Sequence, residues 1–196
     1  MFMNLLSVAL ILGLGYLWVT RGFFSALLHL ACVVAAGAIA FGLWEPIAMF
    51  LLDKSPQSGL GTFIGDAAWG LGLALPFAAS LAILRVVTDK IAPGNIIIDD
   101  TYDSIGGGIC GAAIGVITAG MFVLSTGFLR VPASFMGYQP VQMANQGNFE
   151  IQQKLWVPVD RITSNFYNYL SQNALHSSTP LAYYYPDLAS AAGTQR

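Results

Sequence analysis

The run from Ser104 to Leu129 holds 26 residues without one charged side chain. A bilayer core about 30 Å thick is crossed by roughly 20 helical residues, so this run is long enough to span. At its head stands a ladder of Asp103, Gly107, Gly111 and Gly115, one residue every fourth position. Residues four apart share one helix face, and glycine on that face lets a second helix backbone approach closely. The chain must therefore fold as a membrane protein with at least one tightly packed helix pair.

Composition agrees. The 196 residues are 56% hydrophobic and only 9% charged, against about 25% charged in a soluble domain. A net charge of -2 gives no footing for nucleic acid. Cys32 and Cys110 both fall inside apolar runs, which points to two buried thiols and not to a disulfide framework.

Four spans can be drawn, giving an all-α membrane domain over residues 1–130. Met1 to Thr20 is uncharged and ends at Arg21; with no basic residue ahead of it, a retained helix fits better than a cleaved leader. Gly22 to Trp44 follows at once, so the first two spans form a tight antiparallel hairpin with Arg21 at its tip. Glu45-Pro46 interrupts, and the short apolar stretch Ile47 to Leu52 reads as a separate interfacial helix. A polar loop, 53–59, leads to a third span from Ala67 to about Val87, with Leu60 to Asp66 as an interfacial approach and a kink at Pro76. The loop after it, 88–95, lies on the same side as Arg21, and the glycine-ladder span comes fourth.

Residues 131–196 are a polar, aromatic-rich tail. Within it Val159, Ile162, Phe166, Tyr169 and Leu170 recur at helical spacing after Pro158, predicting one amphipathic helix over about 159–170. A helix this short needs something to cover its apolar face. The expectation is that this face packs on the outer surface of the bundle beside Ile47 to Leu52 and offers a docking platform. Arg21, Arg85 and Lys90 on one side, against Lys54 and Arg130 on the other, favour termini outside the cytoplasm.

The order of a first span, Arg21-Gly22-Phe23, two further spans, and Asp103, Gly107, Gly111 and Gly115 at the head of the fourth resembles the bacterial colicin V production protein family, CvpA. The resemblance covers residues 1–130, and the tail helix loosely. It departs at Asn4, where the family often has Asp, and at Ser104, where an Arg commonly follows the Asp. It implies a small multi-pass inner-membrane protein linked to colicin V production or export and to envelope physiology; in that membrane the basic-residue bias would make the termini periplasmic, and no catalytic residue or cofactor is expected.

The residues themselves point the same way. His29 and His176 lie far apart in the chain, and no serine-hydrolase, zinc-protease, Cys-x-x-Cys or phosphate-loop motif occurs. His29, inside the second span, is a candidate intramembrane polar site for proton coupling. The plainer reading is a neutral imidazole bonded to a neighbouring backbone or to Ser25. With Thr118 and Ser80 it makes a thin path for a transporter. Arg21 is either a headgroup anchor beside a capping Asp103 or Asp103's ion-pair partner. The ladder packs either on the small-residue face of the second span (Ala31, Ala35, Gly37, Ala38, Gly42) or across a homo-oligomer seam. Expected partners are the lipid bilayer, a second copy, or an envelope protein. The rival functional classes are a small transporter or channel component and an accessory subunit of a larger membrane complex.

Overall fold

The computed structural model describes residues 2–54, 60–91, 100–127, 142–143, 149–150 and 155–173. The chain is an all-α membrane protein. Four helices are long and apolar enough to cross a bilayer: α1 (Phe2–Val19), α2 (Phe23–Lys54), the Ala67–Ile91 part of α3 (Leu60–Ile91), and α4 (Asp100–Gly127). A fifth helix, α5 (Val159–Asn173), lies in the tail. Two-residue strands β1 (Gln142–Met143) and β2 (Phe149–Glu150) pair antiparallel ahead of it.

The Glu45-Pro46 break does not occur. α2 runs unbroken to Lys54, so Ile47 to Leu52 is its closing stretch and not a separate helix. Proline removes only the bond to the Gly42 carbonyl and clashes there at most with backbone. Flanking turns are enough to carry the helix through. At 1.5 Å per residue α2 is about 48 Å long, so it either tilts or extends beyond the hydrocarbon layer. α3 likewise starts at Leu60 and continues through Pro76.

α4 is the central element. It packs on α1, α2, α3 and α5, and 61% of its best spanning window is buried, against 17% for α1. The glycine ladder receives α1, not α2. A methyl group on Gly111 would lie 2.8 Å from Trp18 Cβ and 2.9 Å from the Leu14 carbonyl oxygen, and one on Gly115 would lie 2.7 Å from Ile11 Cα. One on Gly107 would run into the Trp18 carbonyl. Apart from Trp18 Cβ, the atoms met are α1 backbone at Ile11, Leu14, Gly15 and Trp18, so the two antiparallel helices approach backbone to backbone along the ladder. The close contact lies within one subunit. α2 turns instead to α3, where Gly72 seats against Ala48 and the Trp44 carbonyl and Trp44 Nε1 donates to the Trp69 carbonyl at 2.8 Å. α1 and α2, though joined by a tight turn, hardly touch along their lengths.

α5 overturns the expectation for the tail. It does not lie beside Ile47 to Leu52 but enters the groove formed by α1, α4 and α2. Its orientation is nearly inverted. Asp160, Thr163, Ser164 and Tyr167 are buried, while Ile162 (46%), Phe166 (37%) and Tyr169 (66%) are exposed; only Val159 and Leu170 of the expected face turn inward. Gly120 of α4 leaves room for Thr163 and the Val159 carbonyl, and Gly37 of α2 leaves room for the Tyr167 ring. Hydroxyls satisfy themselves on backbone: Thr163 donates to the Val116 carbonyl at 3.4 Å, Ser164 to the Arg161 carbonyl at 3.2 Å, and Tyr167 to the Val33 and Val34 carbonyls at 3.3 and 3.2 Å. Val116 and Val33 stand near the middle of their spans. A helix at that depth faces acyl chains, so its polar side belongs inward and its apolar side outward.

Two outcomes follow from this packing. Gly111→Leu should lower the detergent melting temperature far more than Ala113→Leu, with an overpacking cost of about 1–3 kcal/mol or more; equal melting of the two would remove the ladder as a seam. A nitroxide at Phe166→Cys should collide with oxygen and exclude a water-soluble nickel chelate, unlike one at Thr20→Cys on the exposed turn. Free access of nickel to position 166 would return α5 to the aqueous surface.

Candidate functional site

The end of the bundle that carries the α1–α2 turn gathers most of the residues singled out in the sequence. α1 closes when the Arg21 and Gly22 amides both return to the Trp18 carbonyl, at 3.2 and 3.3 Å. Gly22 has φ 88°, a left-handed value that costs glycine nothing and any other residue strain. The chain thereby reverses and α2 begins at Phe23.

Here the two sequence motifs meet. The Phe23 amide, one of the unsatisfied donors at the α2 N-terminus, donates to Asp103 Oδ1 at 2.8 Å. Asp103 is also a first-turn acid of α4, which starts three residues earlier at Asp100. One carboxylate thus faces the positive ends of two helix dipoles. The glycines make this possible: Gly107 meets the Trp18 carbonyl and the Gly22 carbon, and Gly106 lies against the Phe23 ring. Gly111 and Gly115 extend the same seam deeper. The bond that ties Arg21-Gly22-Phe23 to the ladder runs from a backbone amide, a donor that no side-chain pattern announces.

Trp18 is the hub that sequence reasoning missed. It is 4% exposed. His29 stacks on it at 4.8 Å between ring centroids, 28° from parallel. The guanidinium carbons of Arg21 and Arg85 lie 5.6 and 5.5 Å from the centroid of its ring, within cation–π range. Arg85 also pairs with Asp89 at 3.1 Å, one turn on in α3. His29 therefore does not bond Ser25 or a neighbouring backbone through Nδ1, which is buried without a hydrogen-bond partner; its ring is held by stacking. Next to it Thr88 donates to the Leu84 carbonyl at 2.7 Å, which leaves the Cys32 thiol as donor to the Thr88 oxygen at 3.2 Å. Cys32 and Cys110 are both buried and free.

Asn4 gains a role at the opposite end. Its side-chain oxygen accepts the Trp156 amide at 2.8 Å, pinning the approach to α5 against α1. A carboxylate could accept the same bond. Among the described residues no three His, Cys, Asp or Glu side chains cluster as metal ligands. His176 lies outside the described residues, as do the side chain of Asp66 and the loop 92–99.

The Asp103 carboxylate yields a graded expectation. Asp103→Ala should destabilise the bundle by about 0.5–2 kcal/mol, the cost of a lost helix cap. Asp103→Asn, which keeps an acceptor oxygen but loses the charge, should cost less. Detergent melting curves check the order, and equal losses would mean that charge and not the Phe23 bond is what matters. Compared with known proteins, the chain matches no family model, no curated protein and no solved structure.

Proposed function

We propose that this chain is a non-enzymatic integral membrane protein of the CvpA kind, acting as a scaffold or factor in the bacterial cell envelope with a role in toxin production or export. The observation that carries the reading is the bond between Phe23 and Asp103. The resemblance rests on two motifs about eighty residues apart. Their direct contact, with Gly107 beneath the turn, gives both a joint physical purpose that chance matches would lack. The reading includes the inner membrane as location and periplasmic termini. Its support is that Arg21, Arg85 and Lys90 belong to the turn end, where basic residues favour the cytoplasmic side.

A small transporter or channel component is the second reading, and α5 is what favours it. Helices that enter a bilayer part-way and bring polar side chains to its middle recur at substrate paths. Thr163, Ser164 and Tyr167 do this here. The scaffold reading is preferred because those hydroxyls are occupied by backbone carbonyls.

The tail-platform idea changes with the fold. Because α5 fills a groove, deleting 150–196 would strip the seats at Gly37 and Gly120 and is expected to damage the bundle itself, so truncation is a poor test of function. The full chain, tagged and isolated from native membranes in mild detergent, should instead bring down a reproducible envelope protein, and the same chain should restore the phenotype of a deletion strain. In liposomes it should pass neither protons nor small ions. Flux that is abolished by Tyr167→Phe, with no recovered partner, would replace the scaffold by the transporter.

A further inference from the structure

Asn165 breaks the rule that turns the polar side of α5 inward. Thr163, Ser164 and Tyr167 are enclosed, but Asn165 is exposed and stands in the outward stripe with Ile162, Phe166 and Tyr169. Counted from Ile162, the others follow at three, four and seven residues, which puts all four on one helix face. Depth is fixed by the neighbours. Two residues before Asn165, Thr163 donates to the Val116 carbonyl; two residues after it, Tyr167 reaches the Val33 and Val34 carbonyls. All three carbonyls stand near the middle of their spans. Among the described residues the Asn165 amide makes no hydrogen bond. Its side chain is too short to reach headgroups as a lysine or arginine does. A carboxamide, donor and acceptor at once, thus faces acyl chains that can be neither.

We propose that the outer face of α5 is a homodimer seam, in which Asn165 bonds the partner subunit's Asn165. A second copy is the occupant that the chemistry selects. Two copies inserted in the same orientation close as a pair about a two-fold axis along the bilayer normal. Under that axis α5 meets α5 with equal residues at equal depth, so Asn165 finds a carboxamide at its own level. The group is self-complementary, because each oxygen accepts from the other's nitrogen. Ile162 and Phe166 flank it and pack across the axis. Apolar surface alone gives helices little preference for one another over lipid. The amide pair supplies the reason to associate, and it fixes register as a single buried asparagine does between parallel helices. The seam is distinct from the glycine ladder, which closes on α1 within one subunit. It rests on α5 lying at acyl-chain depth and is independent of the envelope role.

The test is single-molecule photobleaching of the full, labelled chain in phosphatidylcholine–phosphatidylglycerol liposomes, over a series of protein-to-lipid ratios. The unaltered chain should count as dimers above a midpoint ratio. Asn165→Leu, apolar and of similar length, should move that midpoint about tenfold higher, the loss of the interhelical hydrogen bonds. Asn165→Gln keeps the amide and should recover most of the association. Leu75→Ala, on an exposed face of α3, should behave as the unaltered chain does. A second readout asks for contact directly. Oxidation in native membranes should join Asn165→Cys chains through an intermolecular disulfide, since Cys32 and Cys110 are buried, and should not join Leu75→Cys chains. An unaltered chain that stays monomeric at every ratio overturns the seam. So does an Asn165→Leu chain that dimerises equally well, or equal cross-linking at positions 165 and 75.

Discussion

The backbone-to-backbone approach of α1 and α4 is the contact on which the rest of this bundle depends. Lipid tails are as apolar as leucine, so burying apolar surface between helices gains little in a bilayer. Association rests on dispersion and on backbone proximity. Gly107, Gly111 and Gly115 supply that proximity over three turns. The same approach brings the Trp18 carbonyl down onto Gly107, which sets the height of the turn. Only at that height does the Phe23 amide reach Asp103. α2 is thereby aligned to α4 by one carboxylate and to α3 by the Trp44–Trp69 contact, in which the rings meet edge to face at 5.7 Å.

Spans, turn and ladder were legible because each has a one-dimensional signature. Length without charge marks a span, Arg21-Gly22 between two apolar runs marks a turn, and a period of four marks a face. The partner of that face was not legible. α2 offers Ala31, Ala35, Gly37, Ala38 and Gly42, but small residues allow approach without requiring it, and nothing meets Gly42 within 4 Å. What meets the ladder is the backbone of α1 at Ile11, Leu14, Gly15 and Trp18, and the single glycine among these announces that face far less than the small-residue run announces α2. Trp18 was hidden for a related reason. A tryptophan at the end of a span is ordinary in sequence, and only the convergence of Arg21, Arg85 and His29 from two other segments and its own turn makes it a centre.

The tail was misread through its surroundings and not its periodicity. The helix begins within a residue or so of where its pattern places it, at Val159. In water the apolar stripe of Ile162, Phe166 and Tyr169 would have to be covered. At the middle of a bilayer the same stripe is the exposed one, and Asp160, Thr163 and Ser164 must be enclosed. A hydrophobic pattern reports which face differs, and the solvent decides which way it turns.

The seat of α5 complements the turn end. α1 and α2 start from one point at Gly22 but are claimed by different partners, α1 by the ladder and α2 by α3. Toward the far end α4 meets α1 through Ala119 and Val123 against Met3, and Val159 of α5 joins that cluster. A void at that depth would forfeit dispersion on every surface lining it. α5 closes it, anchored by the Trp156 amide on Asn4 at the rim and by the Tyr167 hydroxyl on the Val33 and Val34 carbonyls inside. Those two carbonyls already accept within α2, so the tyrosine's single O–H, shared between them, adds to the helix bonds without breaking them. The close approach of α1 and α4 along the ladder is thus matched, beyond Gly115, by a groove that α5 occupies through Val159, Thr163 and Tyr167.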